Sequence, residues 1–221
     1  MKTVVVIGAG KGMGSSISRR FAMEGFRVVL VARRKESLEA VVARLAQAGI
    51  KAFGETADSA NPCSLTDALD RIEARFGVPD VLVYNAAFMT GGKVDEISPE
   101  EMLAHFKTDV VGALVAAKAF IPQMRQRGSG AIIFTGGLFG VHPNANPDFA
   151  CMSMDKSALR SLALMLNHEL KNTGVFAGIV NIMGGVNSSE QFSADALADA
   201  YWRLYRGQND FEIYCPESDP A

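Results

Sequence analysis

The segment Val4-Val5-Val6-Ile7-Gly8-Ala9-Gly10-Lys11-Gly12-Met13-Gly14 constrains this chain more than any other part of it. Four consecutive β-branched residues read as a strand buried on both faces, as in a parallel sheet. Glycines follow where a tight turn must swing the chain into a helix. Gly8, Gly12 and Gly14 lack the Cβ that would hold a pyrophosphate off the backbone, and the helix behind them presents free N–H groups to such an anion. The loop of Gly8, Gly10, Lys11, Gly12, Met13 and Gly14 is the candidate cradle for a dinucleotide.

Strand-like and helix-like segments then alternate to the end. Val28–Val31, Ile50–Phe53, Asp80–Tyr84, Ala131–Phe134, Gly174–Ile182 and Phe211–Tyr214 read as further strands, which makes about seven in all. Leu38, Val41, Val42 and Leu45 fall at helical spacing, with Gly49 where a C-terminal cap belongs. Leu65, Leu69, Ile72 and Phe76 form a second apolar stripe. Ser98-Pro99-Glu100-Glu101 is a helix start with cap, first-turn proline and capping box, and it opens a long helix to about Gln126 that Pro122 would kink. A second long helix covers roughly Phe149–Asn172, and a last one Ser193–Arg206. The alternation predicts one α/β domain over residues 1–221, a Rossmann-type doubly wound parallel sheet with helices on both faces and its ligand at the carboxyl ends of the strands.

Composition excludes several classes. A net charge of −2 and a pI near 5.9 argue against a nucleic-acid partner. No apolar stretch reaches membrane-spanning length, since Lys118 interrupts the most hydrophobic helix. The three cysteines, Cys63, Cys151 and Cys215, are widely spaced, as expected of a reducing cytoplasm. The three histidines lack metal-ligand spacing, so no metal is expected. His105 and His168 fall on helices, away from the strand ends, and read as structural or exposed.

The end of the second strand bears on the cofactor. Dinucleotide folds place an acidic residue there for a ribose 2′-hydroxyl, or a basic one for a 2′-phosphate. This chain has Arg33 and Arg34, with Lys11 in the glycine loop, so NADP(H) is favoured over NAD(H). A solvated basic helix start is the alternative.

Beyond the glycine loop, Asp58 follows the third strand, Asn85-Ala86-Ala87 the fourth, and Lys156 lies in the second long helix. With this set the chain resembles the short-chain dehydrogenase/reductase family from Thr3 to about Ser188. The resemblance implies an NAD(P)-binding oxidoreductase acting on a carbonyl or alcohol. It implies that Asp58 bonds the adenine amino group, that Asn85 with Ala86 steadies the strand end beside the cofactor, and that Lys156 holds the nicotinamide ribose. Val186 and Ser188 match the segment that meets the carboxamide. Asp58 and Asn85 are also ordinary turn residues.

The family's proton donor is a tyrosine four residues before the lysine, helped by a serine and by an asparagine in the preceding long helix. Here the tyrosine position is Met152, which carries no proton to give. The serine position falls on Gly137 and the asparagine position on Asp109, so Lys156 alone matches. Asp109 would pair with Lys156 across the facing helices, and it is a candidate acid. His142, in the loop after the fifth strand, is the candidate displaced donor, with an exposed loop histidine as the alternative. Gly137, Leu138 and Met152 would line an apolar pocket, which plain core packing would equally explain. Two readings follow: an oxidoreductase with a non-standard active site, or an inactive NADP(H)-binding subunit serving as sensor, ligand shell or partner. The family also implies a homodimer or homotetramer through the two long helices, whose apolar surface would include Leu159, Leu162, Met165 and Leu166.

Overall fold

A computed structural model describes residues 1–216. Seven strands form one sheet: β1 Thr3–Ile7, β2 Arg27–Ala32, β3 Ala52–Thr56, β4 Val81–Tyr84, β5 Gly130–Gly137, β6 Val175–Ile182 and β7 Glu212–Cys215. They lie in the order β3-β2-β1-β4-β5-β6-β7, and every pairing is parallel. This is the Rossmann-type sheet the alternation predicts.

The β-branched run of β1 makes sense once both faces are covered. Val4 and Val6 enter the core beneath α1 (Met13–Met23), α2 (Lys35–Gln47) and α8 (Ala194–Gly207). Val5 and Ile7 point the other way, into the core under α3 (Pro62–Phe76), α5 (Gly112–Arg127) and α7 (Ala150–Glu169). A two-residue period thus feeds two cores, and from Val4 to Ile7 no position on the strand is left for a polar side chain.

The ends of the helices follow local chemistry. Asn61 caps α3 by accepting Ser64 N–H, and Ser98 caps α4 (Pro99–Phe106) by accepting Glu101 N–H at 3.1 Å. Gly49 takes a left-handed φ of +75° directly after the end of α2, as the C-terminal cap requires. The third strand starts two residues later than its sequence pattern predicts. The expected helix from Ser98 to Gln126 is also not one α-helix: residues Lys107–Val111 form a π-helical turn between α4 and α5. Pro122 sits inside α5. The break in the ladder therefore falls at Asp109, and α-helical periodicity does not mark the one extra residue per turn.

Strand order reverses at β1, which has β2 on one side and β4 on the other, so a crevice opens at their carboxyl ends. Gly8 fills its base. Its φ is +86°, and a Cβ there would lie 2.3 Å from the backbone nitrogen of Ala86. Replacing Gly8 by alanine combines left-handed strain with backbone overlap. We expect Gly8→Ala to destabilise the fold by roughly 2–3 kcal/mol, read as a lowered midpoint in urea unfolding.

Candidate active site

The crevice holds two adjoining clefts. The narrower, about 310 Å³, is lined by Gly8, Ala9, Gly10, Arg33, Arg34, Ser37 and Asp58 among others. The wider, about 760 Å³, is walled by Met13, Leu138, Phe139, Phe149, Met152, Ile182 and Val186, with Lys156 at its base. Asn85, Ala87 and Met89 line both.

Asn85 ties the parts together. Its amide donates to Gly8 O at 2.9 Å, and its Oδ1 accepts the Thr135 hydroxyl at 3.0 Å. Tyr201 OH, fully buried on α8, stands 2.7 Å from Thr135 Oγ1. Because the Thr135 proton is already given to Asn85, Tyr201 donates. Burial raises the Tyr201 phenol far above its ordinary range. Tyr84 is equally buried, donates to Thr108 O, and is raised for the same reason.

Lys156 Nζ donates to Thr135 O at 3.2 Å and lies 3.1 Å from Asp109 Oδ1. The Asp109 contact is an ion pair without hydrogen-bond alignment. Asp109 is fully buried, and its other oxygen accepts Phe88 N–H at 2.7 Å. The π-helical turn aims this carboxylate across at α7. The sequence expectation that Asp109 pairs with Lys156 is met.

His105 takes the structural one of its two sequence readings. It is fully buried one turn before Asp109, with Nδ1 3.0 Å from Asp155 Oδ2 and Nε2 2.7 Å from Thr90 Oγ1. One polar side-chain atom each from His105, Asp109 and Asp155 lies within 4.8 Å of the others. The sequence signal was there: His105 precedes Asp109 by four residues and Asp155 precedes Lys156 by one. Helical geometry assigns neighbours to different faces, so sequence spacing alone does not bury Asp155 together with Lys156. In fact α7 is packed by α4, the π-helical turn and the sheet, so Asp155 and Lys156 are both buried. Burial and the charge of Asp109 raise the Asp155 carboxyl from 3.8 to about 8, while burial lowers His105.

Other expected residues are placed as follows. Gly14 is buried against Gly8 O, whereas Lys11 and Ser188 are exposed and line neither cleft. Gly137, Leu138 and Met152 line the wider cleft. Asp58 lines the narrower one, and its Oδ1 also accepts Ala60 N–H, the turn contact its residue type favours. His142 ends the short helix α6 (Leu138–Val141), is exposed and lines neither cleft. Cys151 is buried, with its thiol raised by burial. Leu159 and Leu166 belong to the core rather than to an apolar surface, which leaves Met165 exposed and Leu162 half-buried on that helix. No helix among the described residues is long and apolar enough to cross a membrane.

Deleting one partner of a buried ion pair leaves the other charge stranded. Asp109→Ala should cost about 3–5 kcal/mol, seen in urea unfolding at neutral pH, and Asp109→Asn less because it still accepts Phe88 N–H.

Comparison with known proteins agrees with this architecture. The family model for short chain dehydrogenase matches residues 2–194. A putative ketoacyl reductase of Streptomyces coelicolor is 32% identical over 184 residues, covering 81% of this chain and 69% of the relative. Oxidoreductase asL5 of Sarocladium schorii is 26% identical over 208 residues, covering 94% and 80%. Among solved structures, a metagenomic short-chain oxidoreductase in complex with NADP has a TM-score of 0.84 at 28% identity, covering 96% of both chains. A short-chain dehydrogenase from Sphingobium yanoikuyae in complex with NADPH has a TM-score of 0.85 at 25% identity, covering 98% of this chain and 88% of that one. By sheet order, by the glycine turn against β4 and by this match over most of its length, the chain belongs to the short chain dehydrogenase family of NAD(P)-binding oxidoreductases.

Proposed function

We propose that the chain binds NADP(H) along the two adjoining clefts and reduces a carbonyl, or oxidises the corresponding alcohol, on an apolar substrate. The observation that carries this reading is the continuity of the clefts: a basic end at Arg33 and Arg34, a glycine turn in the middle, and Lys156 at the apolar end.

The residues fit such a cofactor. No side chain caps α1, and with Ser15 N–H turned back to Gly10 O and Gly12 O the N–H groups of Met13 and Gly14 are left for a pyrophosphate. A Cβ on Gly10 or Gly12 would meet nothing within 4 Å, which leaves room over the turn. Arg33 and Arg34 supply the charge for a 2′-phosphate, and Asp58 an acceptor for the adenine amino group. Two solved relatives hold NADP and NADPH, which supports the same preference here. When bound, the nicotinamide supplies hydride to a carbonyl carbon.

The proton needs a source. Lys156 is the one ionisable side chain among the described residues lining the wider cleft. Thr135 has the one hydroxyl there, and it is committed to Asn85. We therefore assign the proton to the Lys156 ammonium, oriented by Asp109 and Thr135 O. The absence of an uncommitted hydroxyl at Met152 and Gly137 favours a second reading, binding without turnover.

Thermal unfolding with NADPH and NADH tests the cofactor. At one hundred times its dissociation constant NADPH should stabilise the fold by about 2.7 kcal/mol. Arg33→Ala should weaken NADPH by about 1.5–3 kcal/mol, the range for charge-assisted hydrogen bonds, and leave NADH almost unaffected. Equal shifts for both cofactors would remove the 2′-phosphate assignment. Turnover is tested by NADPH absorbance with a panel of aromatic and long-chain aldehydes and ketones. Activity lost in Lys156→Met and kept in His142→Ala fits Lys156 as donor. The reverse result restores His142, and a tight NADPH complex silent with every carbonyl establishes the non-catalytic reading.

A further inference from the structure

Hydrogen-bond directions fix how many protons the buried cluster holds. The Thr90 hydroxyl donates to Glu101 Oε1 at 3.2 Å, so at its other contact it accepts, and His105 Nε2 carries the donated hydrogen. In a neutral imidazole His105 Nδ1 is then a bare acceptor, and it stands 3.0 Å from Asp155 Oδ2. Two acceptors cannot share that contact. One proton must lie between them, either on Asp155 facing a neutral His105 or on His105 facing an ionised Asp155. Either form makes the pair electrically neutral.

We propose that Asp155 is a positioning residue for Lys156: through the proton it shares with His105 it stays neutral, leaving Asp109 as the single net negative charge beside the ammonium. This rests on the reading of Lys156 as proton donor. The Lys156 Nζ–H bond breaks as the O–H bond of the product alcohol forms. The N–H electron pair stays on nitrogen, and the carbonyl carbon takes hydride from the reduced nicotinamide. An ammonium facing one carboxylate gives up its proton more readily than one facing two.

The charged and titratable groups around Asp155 come from three of the elements packed there, and α6, β5 and β6 add none. They are His105 and Glu101 from α4, Asp109 from the π-helical turn, and Lys156 and Cys151 from α7. Burial opposes a second anion most, Asp109 opposes it next, and Lys156 favours it. Asp155 Oδ1 has no hydrogen-bond partner, as suits a carboxylic acid better than a carboxylate. Burial pushes both groups toward the same form, since it raises Asp155 and lowers His105. The proton thus resides on Asp155 and is lost only as pH rises through about 8.

The sequence has three histidines, so ¹⁵N-histidine NMR of the full chain resolves His105 with single-site variants for assignment. We expect a neutral His105 carrying its hydrogen on Nε2 at pH 7, unchanged down to pH 6 and shifting only near pH 8. Asp155→Asn, which still donates to Nδ1, should abolish the shift near pH 8. A His105 that titrates near 6.5 like a free imidazole, or that carries its hydrogen on Nδ1 alone, overturns the shared proton. Kinetics test the role of that proton. Wild-type carbonyl reduction with NADPH should fall about tenfold from pH 7 to pH 9, as the store empties one unit above its midpoint. In Asp155→Asn the fall should be under about threefold, with KM for NADPH unchanged. Equal pH profiles in the two proteins overturn the positioning role while leaving Lys156 as donor. A wild-type protein without turnover overturns the donor reading and the role together, and the NMR result then stands or falls separately.

Discussion

A carboxylate sealed inside a helix layer stays charged only if a cation faces it, and the geometry around the crevice turns on that requirement at Asp109. Among the described residues its salt partner is Lys156 and its backbone donor is Phe88 N–H. Satisfying both demands that α7, the π-helical turn and the segment leaving β4 meet at one point. The π turn makes this meeting possible by rotating Asp109 out of the regular α-helical register. Lys156 in turn reaches the Thr135 carbonyl and the base of the apolar cleft. A buried pair of this kind adds little net stability, because desolvation offsets the attraction, but it fixes one arrangement against all others.

From Thr135 a second line of contacts runs to the nucleotide end. Tyr201 donates to Thr135, Thr135 to Asn85, and Asn85 to Gly8 O. Strand β5, the end of β4, the glycine turn and helix α8 are therefore locked by a fully satisfied chain of side-chain bonds. The two adjoining clefts share Asn85 as a wall, so whatever sits on the glycine turn is held in register with whatever meets Lys156. Rigid positioning of this sort is what a hydride donor and an acceptor need, since both must be held at near contact distance.

Much of this was legible residue by residue. The β-branched run of β1, the glycine turn, the caps at Ser98 and Gly49, and the parallel alternation each follow from local rules that depend on spacing alone. The pairing of Asp109 with Lys156 was also foreseeable, because two unlike charges on facing helices have few other places to go. The π turn was not legible. It shifts one hydrogen-bond register within Lys107–Val111, and no residue type marks it. The contact of His105 with Asp155 was not legible either, because a helix such as α7, packed by a neighbouring helix, a turn and the sheet, buries more than the single face its periodicity advertises.

The sequence by itself determined the parallel sheet, the place of the phosphate turn and the basic residues at the end of β2, since each depends on steric and hydrogen-bond demands within a few neighbouring residues. Only the tertiary structure decided which polar side chains share the interior. Burial and proximity are properties of the packed helices: they brought His105 to Asp155 across fifty residues of chain and set both beside Asp109, where the loss of solvent decides which group keeps a proton.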